Sequence, residues 1–246
     1  MSTYGLLGYP LAVSFSPAYF AEKFRQLELH HTYELFPRAS LHGLRPWLAS
    51  QPELAGLNVT IPHKQAVLRH LDGLTAEALA AGAVNTIRVE REPFRLIGHN
   101  TDVVGFRETL VSFLGEARPS ALVCGTGGAA RAVWLVLEEL GIPFVKLGRT
   151  AHADALAYED LTEMQARARK LWINTTPLGM EPIYTGQKPT LPYEMLGENH
   201  WLYDLVYHPV ETPFLAAGRQ RGAKTQNGLA MLHAQADASW AFWQKL

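Results

Sequence analysis

The chain has one cysteine, Cys124, in 246 residues. It therefore has no internal disulfide framework, and a lone thiol suits a reducing compartment. Net charge is almost absent as well: 22 Lys and Arg against 23 Asp and Glu leave −1. Neither a nucleic acid nor an anionic membrane would meet a global attractive field. The densest basic group, Arg167, Arg169 and Lys170, is interrupted by alanine and reads as a solvated helix face. No uninterrupted apolar run approaches membrane-spanning length, and no basic-apolar-small leader opens the sequence, so a cytoplasmic protein is expected. Ten histidines are present. They form no H-E-x-x-H and no Cys/His zinc spacing, so no metal is expected and nearly all of them read as surface or helix residues. Internal repeats and low-complexity tracts are missing too.

What is present is ordinary for a globular enzyme: 48% hydrophobic and 18% charged residues, enough for one large or two modest domains. The first hundred residues alternate strand-like runs (Tyr4–Leu7, Thr32–Phe36, Leu57–Ile61) with helix-like ones. These are a helix opened by Ser16-Pro17, then Leu41–Ala49, then His63–His70. Ala83–Glu90 and Phe94–Gly98 read as a hairpin. Asp102 is expected to cap a helix over Val103–Phe113. From Ala121 onward strands and helices alternate as in right-handed βαβ units with a parallel sheet. A final helix, Leu229–Trp243, is expected to cross back onto the first domain with Leu229, Leu232, Ala236 and Trp240 inward. The fold class expected is α/β. An N-terminal α/β domain (1–102, completed by 227–246) and a Rossmann-type dinucleotide-binding domain (103–226) would have a cleft between them.

Two polar turns carry the chemistry. Asn58-Val59-Thr60-Ile61-Pro62-His63-Lys64 and Gly98-His99-Asn100-Thr101-Asp102 each break from a β run and each ends on one residue charged at neutral pH. Lys64 and Asp102 together form a proton-handling pair, although each alone reads as a surface lysine or an N-cap aspartate. Gly125-Thr126-Gly127-Gly128-Ala129-Ala130 fits G-x-G-x-x-A between a strand and a helix. Gly125 would allow the tight turn, and Gly127 would let a pyrophosphate approach the helix N-terminus. A purely structural turn is the competing reading. At the end of the next strand, Gly148-Arg149-Thr150 carries no acid for a free ribose 2′-OH, whereas Arg149 and Thr150 suit a 2′-phosphate. NADP is therefore favoured over NAD, unless Arg149 is a solvated loop residue. Ser14 and Ser16, just before a helix, offer hydroxyls to a carboxylate. Ser16 also reads as an N-cap, and Ser14 has no such duty. Cys124 and the tryptophans at 134, 240 and 243 read as packing.

At this point the chain resembles the shikimate dehydrogenase family throughout its length. The matching segments are S-F-S-P (Ser14–Pro17), N-V-T-I-P-H-K (Asn58–Lys64), G-A-V-N-T (Gly82–Thr86), N-T-D (Asn100–Asp102) and G-T-G-G-A-A-R-A (Gly125–Ala132). N-T-T-P-L-G-M (Asn174–Met180), Y-D-L-V-Y-H-P-V-E-T-P (Tyr203–Pro213) and N-G-L-A-M-L-H-A-Q (Asn227–Gln235) complete the set. The resemblance implies reversible, NADPH-dependent reduction of 3-dehydroshikimate to shikimate, on the route to chorismate and the aromatic amino acids. It implies Lys64 and Asp102 as the catalytic pair, and Ser14, Ser16 and Tyr207 on the substrate carboxylate. Thr60, Asn85 and Gln235 would take the ring hydroxyls, with Asn58 supporting the site. Gly125, Thr126, Gly127, Gly128, Ala129, Arg149 and Thr150 would hold the nucleotide, and Asn174, Thr175, Pro177, Met180, Leu205 and Gly228 the nicotinamide side. Two departures stand out. Val13 replaces a histidine before the first serine, and Gly148 replaces an asparagine, with no arginine following closely. The alternatives are a quinate/shikimate dehydrogenase with relaxed substrate or NAD use, and a regulatory relative that binds cofactor without turnover. The expected partner is a small-molecule substrate, with no nucleic acid or membrane, on a monomer or homodimer.

Overall fold

A computed structural model describes residues 1–11, 14–151 and 154–245. Val13, one of the two departures just noted, lies outside the described residues. The chain divides into two compact units, residues 1–103 with 235–246, and residues 104–234.

The first unit is built on β1 (Thr3–Gly8), α1 (Ser16–Gln26), β2 (Thr32–Pro37), α2 (Leu44–Ala49), β3 (Leu54–Val59), β4 (Gly73–Leu74), α3 (Ala76–Ala81), β5 (Thr86–Arg91) and β6 (Phe94–His99). The sheet order is β2-β1-β3-β5-β6-β4. β1 pairs in parallel with β2 and β3, whereas β5 is antiparallel to both β3 and β6. Tyr4 and Leu7 stand an odd number of residues apart on β1, so they face opposite sides of the sheet. Leu7 joins a core with Leu41, Leu44, Leu48, Leu57 and Ile87. Tyr4 joins Phe20, Phe24, Ala236, Phe242 and Trp243, the last ring bonding to Ile87 O through Nε1 at 3.0 Å. The end of the final helix is thus part of this unit. Its inward residues include Met231, Ala236, Ser239, Phe242 and Trp243, whereas Leu229, expected inward, is 37% exposed.

One expectation fails locally, and two short elements went unread. The segment over His63–His70 forms no α-helix, only a 3-10 turn at Ala66–His70. Here the His63 ring turns inward, with Nε2 2.6 Å from Arg38 O, and its backbone is spent on a turn with Thr60. β4 and α3 had no sequence signal long enough to read. α3 nevertheless has a regular cap, Thr75 accepting the Ala78 amide, and ends at Gly82 in the left-handed region.

α4 (Thr101–Leu114) and α8 (Leu229–Trp243) each contain a unit boundary. The second unit consists of β7 (Ala121–Cys124), α5 (Gly128–Glu139), β8 (Phe144–Gly148), β9 (Leu156–Ala157), α6 (Glu163–Arg167), β10 (Leu171–Asn174), β11 (Trp201–Asp204), α7 (Pro213–Arg219) and β12 (Lys224–Gln226). All its strands are parallel, in the order β12-β11-β10-β7-β8-β9. Counted from its own first strand this is the doubly wound order 3-2-1-4-5-6, which reverses between β7 and β10. The central strands β7, β10 and β11 are buried almost throughout, so they read as largely apolar runs such as Ala-Leu-Val-Cys. Trp172, Leu202, Phe214 and Leu215 fill the core. Among the described residues, no helix is long and apolar enough to cross a membrane.

Candidate active site

At one edge of the first sheet β1, β3 and β6 finish and β5 begins, a consequence of the mixed pairing. Lys64 follows β3 in a turn tied by His63 N–H to Thr60 O at 2.9 Å and by Val84 N–H to Lys64 O at 2.7 Å. Its Nζ donates to Asp102 Oδ2 at 2.6 Å, with the two side chains 15% and 8% exposed. Asp102 sits inside the first turn of α4, where the helix dipole favours a carboxylate. The capping duty expected of it falls instead to Asn100, whose Oδ1 accepts the Val103 amide at 3.3 Å.

The other Asp102 oxygen accepts Asn85 Nδ2 at 2.9 Å. The orientation of that amide is unambiguous, because Asn85 Oδ1 accepts a backbone donor, Thr101 N–H, at 2.7 Å. Asn85 therefore presents protons to the carboxylate and holds it as an acceptor. Asn58, 6% exposed, is spent on its neighbours at both ends. Tyr33 Oη donates to its Oδ1 at 2.8 Å, and its Nδ2 donates to Ser239 Oγ at 2.9 Å and Thr86 Oγ1 at 3.2 Å. Ser239, fully buried one turn beyond Gln235 on α8, lies 3.0 Å from Thr101 Oγ1 and bonds back to Gln235 O at 2.9 Å. Tyr33 stacks on Phe20 with centroids 4.5 Å apart. Burial pushes its phenol up, and a hydrogen bond with Ser16 offsets part of the rise.

A continuous polar thread therefore runs from Ser16 through Tyr33, Asn58, Ser239, Thr101 and Asn85 to Asp102 and Lys64. Tyr33, Thr86, Thr101 and Ser239 escaped the sequence reading as members of this site. Ser16 is not an N-cap but the first residue of α1, whose N-cap position, Phe15, supplies no side-chain capping hydrogen bond. Ser14, read as free of local duties, accepts the Ser16 amide on Oγ at 3.3 Å. Thr60 and Gln235 are half-buried residues of the same unit.

The second cluster lies at the carboxyl ends of β7 and β10, where the strand order reverses. Gly125 leaves β7 with φ +114°, and a Cβ there would lie 2.4 Å from Thr175 Oγ1. Thr175 is fixed by its amide and hydroxyl, both bonded to Cys124 O at 2.9 and 2.7 Å. α5 begins at Gly128 with exposed, extended Gly127 as an N-cap that makes no side-chain bond. A Cβ at Gly127 would meet nothing within 4 Å. An uncapped helix N-terminus below open space fits a diphosphate. Thr126, Gly128 and Ala129 border it half-buried, while Arg149 and Thr150 are exposed just past β8.

Asn174 ends β10 fully buried, and Thr175, Pro177 and Met180 follow it half-buried. Gly228 donates its amide to Val206 O at 3.1 Å, and a Cβ there would come 2.1 Å from Leu205 O, so only glycine fits. Tyr207 is half-buried in this second unit. Cys124 is fully buried, and burial pushes its thiol up to about 12, so it is an inert packing group. Two histidines are core residues: His63 and His200 are each 4% exposed. Among the described residues no group of three or more His, Cys, Asp or Glu is placed to hold a metal.

Residues 6–87 match the family model described as the shikimate dehydrogenase substrate binding domain. A shikimate dehydrogenase (NADP(+)) of Desulforamulus reducens is 38% identical over 264 residues, covering 97% of this chain and 88% of that protein. A crystal structure of shikimate 5-dehydrogenase from Thermus thermophilus, in complex with NADP(H) and shikimate, superposes with a TM-score of 0.86. It is 35% identical and covers 100% of this chain and 94% of that one. Quinate dehydrogenase from Corynebacterium glutamicum, in complex with NAD, gives a TM-score of 0.85 at 27% identity, with coverage of 100% and 94%.

Proposed function

The chain belongs to the shikimate dehydrogenase family, and we propose that it catalyses the NADP-dependent, reversible reduction of 3-dehydroshikimate to shikimate, a step toward chorismate and the aromatic amino acids. The observation that carries this reading in the chain itself is the Lys64–Asp102 contact at 2.6 Å. It joins the two polar turns that the sequence marks.

The bound nicotinamide supplies the hydride. What the protein must then manage is the oxyanion that forms on the ring carbon, and an ammonium within reach stabilises that charge and protonates it. Lys64 is assigned this role. Asp102 orients the Lys64 amine through Oδ2, offsets its charge in a half-dry site and remains an acceptor for a substrate hydroxyl. Asn85 keeps that carboxylate aimed. Ser14, Ser16 and Tyr207 are assigned to the substrate carboxylate, and Thr60, Asn85 and Gln235 to the ring hydroxyls, with Asn58 as support. The helix N-terminus at Gly125–Ala129 is assigned to the diphosphate, Arg149 and Thr150 to the 2′-phosphate, and Asn174–Met180 with Leu205 and Gly228 to the nicotinamide side. In this reading the first unit is the substrate domain and the second the NADP domain. A cytoplasmic monomer or homodimer completes the proposal, and light scattering on the purified protein decides the oligomeric part.

The test is a spectrophotometric assay of shikimate oxidation with NADP and with NAD, and of quinate beside it. Turnover of shikimate with NADP, at a kcat/KM well above the other three combinations, is the expected result. Preference for quinate or NAD would move the protein to the relaxed-specificity reading, and no turnover with any pair would make it a binding relative.

A further inference from the structure

Asp204 is a buried carboxylate for which the reaction has no use. It ends β11 at 0% exposure, and no cationic side chain of the described residues pairs with it. An ionisable group kept dry without a counter-charge is costly unless its environment requires it. Three donors converge on it. Asn174 Nδ2 reaches Oδ1 at 2.9 Å, Val206 N–H reaches the same oxygen at 3.0 Å, and Thr212 Oγ1 reaches Oδ2 at 2.5 Å.

Each donor leads to a different segment. Asn174 uses its other atoms to shape the turn after β10: its Oδ1 accepts Thr176 N–H at 3.0 Å and Thr176 Oγ1 at 2.6 Å, and its Nδ2 also reaches Leu178 O at 3.2 Å. Val206 holds Gly228 through its carbonyl at 3.1 Å. Thr212 is the N-cap of α7 and accepts the Leu215 amide at 3.3 Å. One carboxylate thus pins the Asn174–Leu178 turn, the Leu205–Tyr207 segment and the start of α7. The first two of these carry Asn174, Thr175, Pro177 and Leu205, residues assigned above to the nicotinamide side.

We propose that Asp204 is a positioning residue for cofactor binding, clamping the Asn174–Leu178 turn to the Leu205–Tyr207 segment so that both present one fixed wall to the nicotinamide end of NADP. This rests on the cofactor reading given above. Asp204 itself touches neither cofactor nor substrate. Its oxygens are spent on the three donors, and substitution acts only through them.

The chemistry separates two variants. Asp204→Ala removes all three acceptor contacts. Asp204→Asn keeps Oδ1 for Asn174 and Val206 and turns Nδ2 toward Thr212 Oγ1, which accepts it, so two contacts survive and the third reverses. NADPH titration by its fluorescence, without shikimate, is the primary readout, and steady-state kinetics and the thermal midpoint accompany it. We expect Asp204→Ala to weaken NADPH binding tenfold or more, with KM for shikimate within twofold of the parent, and Asp204→Asn to restore binding to within threefold. Thr212→Val removes one donor and is expected to weaken NADPH binding two- to fivefold; it serves if the alanine variant does not fold. Parent-like NADPH affinity in soluble Asp204→Ala, or in Thr212→Val, overturns the proposal. So does an alanine variant that loses thermal stability while both Michaelis constants stay unchanged, since that is a structural role alone. Turnover of shikimate by the parent tests the underlying activity separately, because the fluorescence titration needs no turnover.

Discussion

Asp102 and Asp204 are the two buried aspartates among the described residues, and they are held in opposite ways. Asp102 has a cation at 2.6 Å and one amide donor, on a side chain that keeps 8% of its surface accessible. Asp204 has no cation, three neutral donors and no accessible surface. Both arrangements satisfy a carboxylate away from water, but they leave different freedom. Lys64 is a long flexible chain that can shift its ammonium toward another oxygen, so the Asp102 pair is equipped to exchange partners during a reaction. The donors around Asp204 are the Val206 amide just past β11, the cap residue of α7 and the side chain that ends β10, itself bonded at all its ends. The last two cannot move without disturbing a secondary-structure element. A charged pair that keeps some access to solvent is suited to chemistry, and a lone carboxylate held by three neutral donors is suited to holding shape.

The sharpest way to break this contrast is to remove the cation. Lys64→Ala is expected to lower kcat by roughly two to four orders of magnitude, the range for a positioned acid, with KM for shikimate changed far less. Steady-state rates followed by nicotinamide absorbance measure both, and near-parent turnover would end the catalytic assignment.

Acidity tests the other side. Burial pushes Asp204 up to about 7, with the Thr212, Val206 and Asn174 contacts opposing the rise. In the unfolded chain the carboxyl titrates near ~4. Between those values the folded protein keeps a proton that the unfolded chain has released, so this group's contribution to stability falls as pH rises through the window and is flat above it. The change is on the order of a few kcal/mol. Thermal midpoints of the parent and Asp204→Asn, compared from pH 4.5 to 8, are expected to show the parent's advantage shrinking toward neutral pH. An advantage that does not vary with pH would mean that Asp204 stays ionised throughout.

Arg149, exposed in the second unit, stands in neither class. Arg149→Ala is expected to weaken NADP binding by about 1–3 kcal/mol with little effect on NAD. Equal losses for both nucleotides, read by fluorescence titration, would remove it from the 2′-phosphate. The smallest effect belongs to the thread behind Asp102. Ser239→Ala leaves Asn58 and Thr101 with one partner fewer and is expected to cost about 1–2 kcal/mol of folding stability. A KM for shikimate raised several-fold should accompany it, and a parent-like midpoint in a denaturant melt would show that the thread does not depend on that hydroxyl.

How much of this could be read from the sequence follows from how local each feature is. The Gly125 turn, the Arg91–Phe94 hairpin and the Lys64 and Asp102 turns are written in consecutive residues. The parallel sheet of the second unit followed from strand and helix alternation, whereas its strand order came only from the structure. Tyr33 and Ser239 stand 25 and 181 residues from Asn58. On their own segments they look like a strand aromatic and a helix serine, and only the folded sheet brings them together. Asp204 was visible inside a matched motif, yet no pattern distinguishes an aspartate that touches a ligand from one that braces the residues that do. The short helix expected at His63–His70 failed because the His63 side chain found a carbonyl partner in Arg38, a contact across 25 positions.

The make-up of the first unit sets the order in which its parts become available. Its sheet is finished by residue 103, but Trp243, which bonds Ile87 O, and Ser239, which bonds Asn58, belong to the unit's second stretch, 235–246. On the ribosome, where synthesis runs at roughly 5–20 residues per second, the whole second unit is made before that stretch emerges. For several seconds the nascent sheet therefore carries Tyr4, Phe20 and Phe24 without their α8 partners, and Asn58 without Ser239. The second unit has its whole parallel sheet in one continuous stretch and can close first. The amino-terminal half of this protein is then the last to be completed, and that interval is when its exposed aromatic face is open to a chaperone or to self-association.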